Sequence, residues 1–298
     1  MRRILMSIFI HDVELAKLHH HEPIIRHSLE RLPRVSSPEL FAAQNASQWK
    51  RLIGEPARDA RTSPAESRTW MAGFGISDIS NDFQSYGLLA TIGAMGQDDH
   101  DAETTWVPEL LTQWYQGYRL RINTTNHDPF SLMILWHSTF INLHANFDQL
   151  ECACGKEDDA ATQKHMAAAL AWARSDDAKR CVLHAVLIQK AFQSMPIGTE
   201  PAIHVPMALY FCGIVWTSYT RFGARTEARD LSFPELKLLG TDQDRLLQET
   251  LRGVQLGRPE SRPFFKVVDM LQRMSQWKVA ESFASTLLGL VEDSADLF

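Results

Sequence analysis

Residues 201–222, PAIHVPMALYFCGIVWTSYTRF, decide the fold class of this 298-residue chain. If this stretch is helical, apolar side chains fall on every side of it and leave no polar face: Val205, Met207, Leu209, Phe211, Ile214, Val215, Trp216 and Tyr219. A helix without a polar face is buried all round, which places it in the centre of a bundle. The segment therefore predicts an all-α, multi-helix bundle built around itself.

Two neighbouring stretches carry the apolar stripe of an amphipathic helix, with steps of three and four residues. Residues 130–150 predict a helix of about five turns, and residues 179–195 repeat the pattern. Ser175 is the predicted N-cap of the second helix, which Pro196 and Gly198 end. Further helical periodicity covers 3–20, 38–52, 66–96, 104–121, 242–256 and 263–291. No alternating run bounded by turn residues predicts a strand.

The chain reads as a single domain over residues 1–298. Polar connectors near 54–66, 155–160 and 223–232 interrupt the helical pattern and predict exposed loops. No internal repeat is visible along the chain.

Composition excludes several classes of protein. The formal net charge of −6 argues against a chain that binds nucleic acid by itself, since such domains carry a basic face. Four cysteines at irregular spacing predict ordinary thiols, because neither a disulfide framework nor zinc-site spacing is present. No apolar run approaches the ~18 residues of a membrane span, so no membrane partner is expected.

The histidines are the first candidates for metal-ligating or catalytic residues. His19, His20 and His21 precede Pro23 and predict a helix end, because three adjacent helical residues cannot converge on one ion. His137 and His144 lie two helical turns apart, about 10 Å, which is too far to share a metal directly. We expect these two, with His184 and His204, to be packed and hydrogen-bonded inside the bundle. No catalytic, cofactor-binding or metal-ligating residue is assigned, and we expect the chain not to be an enzyme.

An acidic cluster supports one alternative. Asp98, Asp99 and Glu103 could hold magnesium and a diphosphate, as the aspartate-rich motif does in class I terpene cyclases, which are all-helical enzymes of about this size. The partner motif of Asn, Ser/Thr and Glu is absent downstream. An acidic helix start explains the cluster as well.

Four segments resemble the fungal-specific transcription factor domain, the middle homology region of fungal zinc-finger regulators. They are FIHDVEL at 9–15 running to LHHHEP at 18–23, LWHSTFINLHA at 135–145, WARS at 172–175 with AKRCVLHA at 178–185, and PAIHVP at 201–206. The match is closest to the branch that carries Cys2His2 fingers and is spread over about 200 residues.

The resemblance implies an α-helical regulatory domain in the nucleus with a role in RNA polymerase II transcription. Its implied partners are proteins of the transcription machinery or other regulators, a second copy of the chain, and a small-molecule effector in a helix-lined cavity. In that family the zinc fingers precede this domain, and Met1 falls inside it. We therefore expect DNA and zinc to be bound only by an N-terminal module absent from this chain, and no site residue carries over from the family.

Overall fold

The computed structural model describes residues 2–25, 28–29, 32, 34–54, 81–96, 106–125, 128–196, 198–223, 231–252, 254–258 and 261–295. Within these ranges the chain forms fourteen helices and no strand, which confirms the all-α prediction. In chain order they are α1 (Arg2–Leu18), α2 (Pro38–Phe41), α3 (Ala46–Gly54), α4 (Asp82–Met95), α5 (Trp106–Thr125), α6 (Leu132–His144), α7 (Phe147–Ala153), α8 (Asp159–Ala173), α9 (Asp176–Gln193), α10 (Val205–Phe222), α11 (Pro234–Leu238), α12 (Gln243–Leu251), α13 (Arg262–Gln272) and α14 (Lys278–Ala295).

The chain divides into two compact units, Met1–Leu132 and Met133–Phe298. The assignment of a single domain over the whole chain remains a prediction. Most of the 54–66 connector and of the 223–232 connector lies outside the described residues. The 155–160 connector is confirmed as the turn between α7 and α8.

The N-terminal unit is built on α4, which packs against α1 and α5. Asn81 caps α4, since its side-chain oxygen accepts hydrogen bonds from the amides of Phe83 and Gln84. Gly87 lets α1 approach closely, because a Cβ at that position would collide with the Met6 sulfur. At the end of α1, His19–His21 form a turn before Pro23, as the sequence predicted.

The C-terminal unit surrounds α10. Every residue of α10 is buried except Arg221, which confirms the prediction of a central helix without a polar face. Helices α7, α8, α9, α13 and α14 pack around it. The approach of α14 depends on Gly213, where a Cβ would meet the Leu287 side chain. Such an environment removes large apolar surfaces from water and is the main source of stability in the unit.

Three predicted helices are each divided in the structure, and the first of them, 38–52, separates into α2 and α3. The 130–150 stripe is not one helix, because α6 ends at His144 and Asn146 caps a new helix, α7, by accepting from the Gln149 amide at 3.1 Å. The 263–291 stretch likewise separates into α13 and α14. By contrast, Ser175 caps α9 as predicted, with its hydroxyl oxygen 3.2 Å from the Ala178 amide.

Candidate functional site: a buried histidine, arginine and glutamate cluster

Six polar side chains from three helices of the C-terminal unit form one connected cluster. They are His137 and His144 from α6, Asp177, Arg180 and His184 from α9, and Glu235 from α11. The members from α9 are spaced three and four residues apart, so they share one face of that helix. The cluster therefore joins α9 to α6 on one side and to α11 on the other.

Arg180 and Glu235 form the charged centre of the cluster. The guanidinium binds the carboxylate with two parallel bonds, Nε to Oε1 at 2.7 Å and Nη2 to Oε2 at 3.0 Å. Burial alone would raise the pKa of Glu235, but hydrogen bonds from His184 and Arg180 and the guanidinium charge outweigh it and lower the pKa to about 2. Glu235 is therefore ionised at neutral pH although its side chain is 3% exposed.

His144 links Arg180 to Asp177. Its Nδ1 lies 2.9 Å from Asp177 Oδ1, and its Nε2 lies 2.8 Å from Arg180 Nη1. A guanidinium can only donate hydrogen bonds, so Nε2 must accept and the imidazole proton is on Nδ1. The hydrogen bond from His144 is the main reason why the pKa of Asp177 is lowered.

His137 and His184 face each other through their Nδ1 atoms at 2.8 Å. On its other side, His184 Nε2 lies 3.4 Å from Glu235 Oε1. Because the ionised carboxylate can only accept, His184 carries its proton on Nε2, and its Nδ1 accepts from His137 Nδ1–H. Burial lowers the pKa of both histidines, and for His137 the neighbouring His184 lowers it further.

Aromatic side chains enclose the cluster. The Phe140 ring stacks on His184 with centroids 4.9 Å apart, and Trp136 meets Phe140 edge-on at 4.8 Å. Phe233 lies under the Arg180 guanidinium at 4.8 Å. Apolar walls of this kind lower the local dielectric constant and strengthen the charge pair inside.

The geometry suits a structural polar core better than acid–base chemistry. A general acid or base works best when its pKa is close to the ambient pH. Here the pKa values of His137, His184 and Glu235 all lie below their ordinary values, and the three groups are bonded to other groups of the cluster. The hydrogen bonds and the ion pair of the cluster connect α6, α9 and α11 to one another.

The prediction of packed histidines is confirmed for His137, His144 and His184, while His204 is buried at the start of α10. The sequence did not identify Arg180 and Glu235 as their partners. Arg180 falls in one of the segments that carry the resemblance, but Glu235 lies 55 residues further on and gave no signal. Only the folded chain brings the two together.

The other predicted candidates are less well defined by the structure. Asp98, Asp99 and Glu103 lie outside the described residues. In the described part of the chain, no group of three or more His, Cys, Asp or Glu side chains is arranged to hold a metal ion. All four cysteines are free thiols, and burial raises the pKa of Cys154 to about 11. No described helix is both long and apolar enough to cross a membrane.

A second feature of the C-terminal unit is a half-open groove of about 420 Å³. It lies where α9 and α13 end and is lined in part by Phe192, Met195, Pro201, Arg273 and Met274. Its lining is nearly as polar as it is apolar, since Thr199, Glu200 and Gln276 also belong to it. Its volume lies within the range of small-molecule sites. Arg273 lies over the Phe192 ring, with 5.9 Å between the guanidinium carbon and the ring centroid.

Comparison of the chain with protein-family models, curated proteins and solved structures finds no match.

Proposed function

We propose that this chain is the regulatory domain of a fungal RNA polymerase II transcription factor. It acts in the nucleus without enzymatic activity, by binding proteins of the transcription machinery, other regulators, or a small effector. DNA is bound only through a zinc module that precedes this domain in such factors. The proposal starts from the four segments that resemble the fungal-specific transcription factor domain.

One structural observation supports the proposal most. Two of those four segments, residues 135–145 and residues 172–175 with 178–185, contact each other through the cluster and supply four of its members: His137, His144, Arg180 and His184. Trp172, at the start of the second segment, adds a hydrogen bond from its indole N–H to the His144 carbonyl at 2.8 Å. The residues that carry the resemblance are therefore residues that hold the unit together, as expected for a shared structural framework.

The electrostatics of the cluster favour a non-enzymatic role for the C-terminal unit. Its charged groups are paired, and two of its histidines, His137 and His184, are buried with their pKa values lowered. Proton transfer at neutral pH would require a group that changes charge there and can reach a substrate. A rigid polar core of this type instead supports a surface on which partners or effectors bind, and the groove beside Arg273 is the candidate effector site.

A reporter experiment tests the regulatory role. The chain is fused to an unrelated DNA-binding domain in a fungal host, and transcription from a matching promoter is compared with that DNA-binding domain alone. We expect activation or repression at equal protein abundance, measured by immunoblot. A fusion that folds, enters the nucleus and leaves transcription unchanged would contradict the proposal.

A matched pair of variants tests the groove. Gln276 lines the groove, whereas Gln272 is an exposed glutamine of α13 outside its lining. Gln276→Trp should obstruct the groove and change the reporter response, and Gln272→Trp should leave it unchanged. If both variants behave like the wild type, the groove is not the effector site and the regulatory surface lies elsewhere.

The enzyme alternative has its own test. The purified chain is incubated with magnesium and a prenyl diphosphate, and released diphosphate is measured. We expect no turnover. If Asp99 belongs to the acidic helix start that the sequence predicts, Asp99→Ala should cost at most about 1 kcal/mol of stability. Turnover that is lost in Asp99→Ala would replace the regulatory proposal by a metal-dependent cyclase.

A further inference from the structure

The groove where α9 and α13 end has an apolar floor and a polar rim. Three of its lining residues are buried and form the floor: Phe192, Pro201 and Met274. Four polar lining residues are exposed and form the rim: Thr199, Glu200, Arg273 and Gln276. A ligand that suits this division has an apolar part that fills the groove and a polar part that remains at its edge.

The rim carries one charge of each sign. Arg273 and Glu200 line the same groove, and neither forms an ion pair with the other or with any other side chain that the structure describes. The Arg273 guanidinium lies over the ring of Phe192, with 5.9 Å between the guanidinium carbon and the ring centroid, and is therefore placed above the floor. Both charges are available to a ligand, in contrast to the paired charges of the buried cluster.

A tight turn after α9 presents Glu200 at the rim. The Thr199 amide donates to the Pro196 carbonyl at 3.1 Å, and Gly198 has a φ of 84°. A turn with positive φ at its third residue favours glycine there, because other side chains rarely adopt that conformation. Pro201 follows Glu200 directly and is buried. The carboxylate is therefore carried by a short segment that is constrained on both sides.

The two charges restrict the class of ligand. An anion without a positive group would be attracted by Arg273 and repelled by Glu200, and a cation without a negative group would meet the reverse. A ligand with both charges at one end of an apolar group satisfies both residues. An α-amino acid has this form, because its carboxylate, its ammonium group and its side chain are all bonded to one carbon. The ring of Phe192 and the thioether of Met274 suit an apolar side chain, above all an aromatic one.

We propose that the groove binds an α-amino acid with a large apolar side chain. Arg273 binds the carboxylate of the ligand, Glu200 binds its ammonium group, and the side chain of the ligand packs on Phe192 and Met274. The role of this amino acid as an effector rests on the proposed function, whereas its binding is a property of the purified chain and is measured separately.

Calorimetric titration of the purified full chain tests the ligand class. The ligands are L-phenylalanine, L-leucine, L-methionine and L-tryptophan. Phenylpropanoate lacks the ammonium group, phenylethylamine lacks the carboxylate and glycine lacks the side chain. We expect saturable binding of L-phenylalanine at a single site and at least about fivefold weaker binding of all three analogues. Failure of all four amino acids to bind, or equal affinity for phenylpropanoate, would overturn the proposal.

Two variants with neutral side chains test the role of each charge. Arg273→Gln should weaken L-phenylalanine at least about fivefold and leave phenylethylamine unaffected, because that analogue has no carboxylate. Glu200→Gln should weaken L-phenylalanine and leave phenylpropanoate no weaker. Arg262→Gln at the other end of α13 and Glu281→Gln on α14 are matched controls, since both residues are exposed and lie outside the lining. If the two rim variants bind L-phenylalanine like the controls, the amino acid is not held by this rim and the proposal is wrong.

The reporter experiment separates the ligand from the regulatory role. Binding that is lost in Gln276→Trp and kept in Gln272→Trp would support the site even if added amino acid left transcription unchanged, and that result would contradict the regulatory role alone. A purified chain that binds none of the amino acids, while Gln276→Trp still changes the reporter response, would overturn the amino-acid ligand and leave the regulatory role of the groove in place.

Discussion

Two buried glutamates in the C-terminal unit are held in contrasting ways. Glu235 and Glu151 are 2% and 1% exposed, and each carboxylate binds a basic side chain. Glu235 binds Arg180, 55 residues away in the chain, whereas Glu151 binds Lys156, only five residues away in the turn after α7. The Arg180 side chain is 16% exposed and the Lys156 side chain is 36% exposed.

The difference lies in what each pair connects. The Arg180–Glu235 pair joins two helices that are distant in the chain and contacts two histidines. The Lys156–Glu151 pair closes a local turn, and burial together with the Glu151 charge raises the pKa of the Tyr210 hydroxyl on α10. A buried carboxylate is costly when its partner is removed, and the cost depends on how much water or other protein can replace that partner. Removing the basic partner should therefore cost more unfolding free energy in the Arg180–Glu235 pair than in the Lys156–Glu151 pair.

Removing Arg180 should produce the largest loss of stability. Arg180→Ala leaves the carboxylate of Glu235 buried without its bidentate partner, which should cost about 3–5 kcal/mol of unfolding free energy. Urea unfolding followed by circular dichroism measures this change. As a control, Arg180→Met combined with Glu235→Leu should cost less than Arg180→Ala alone, since no charge is left unpaired. If the double variant is the less stable of the two, the buried charge is not the cause.

Lowering the pH should produce the second-largest loss of stability, because it protonates groups of the histidine, arginine and glutamate cluster. The folded-state pKa of Glu235, about 2, lies below its ordinary value of 4.5, so its contribution to stability is present above pH ~4.5 and is lost as pH falls toward ~2. The pKa values of His137 and His184 are also lowered from 6.5, so their contribution begins to fall below pH ~6.5. Urea midpoints at a series of pH values should decrease along this path, and the decrease should be shallower in His137→Asn. A flat profile between pH ~6.5 and ~4.5 would contradict the assignment of neutral histidines.

Removing Lys156 should cost less. In Lys156→Ala, water can reach the position of the partly exposed ammonium group. We expect a loss of about 1–2 kcal/mol, close to that of one hydrogen bond to a charged group. A loss as large as that of Arg180→Ala would mean that the two glutamates are equally isolated from water, which would break the comparison.

An exposed ion pair should show the smallest loss of stability when one of its charges is removed. Arg245 and Glu249 are 2.8 Å apart on α12, with side chains 75% and 51% exposed. Arg245→Ala should leave the urea midpoint unchanged within error, because water and salt screen such a pair. A clear shift would show that the unfolding assay responds to charge removal in general rather than to burial.

The sequence predicted the helices whose signals are local. Residues 201–222 would carry apolar side chains on every side of a helix, so their burial followed from the sequence pattern. Ser175 predicted the start of α9 because an N-cap needs only the next three residues. The breaks at Asn146, between α13 and α14, and between α2 and α3 were missed. At the first two the apolar stripe continues across the break, and periodicity cannot detect a change of helix axis.

The sequence by itself determined that this chain is helical, that α10 is the buried centre of its unit, and that His137, His144 and His184 pack inside. Each of these depends on residues close together in the chain. Only the tertiary structure decided that Arg180 meets Glu235 and that His137 meets His184, because those partners lie 55 and 47 residues apart. Which polar side chain satisfies another is set by how helices pack, and the packing is governed by apolar surfaces rather than by the polar groups themselves.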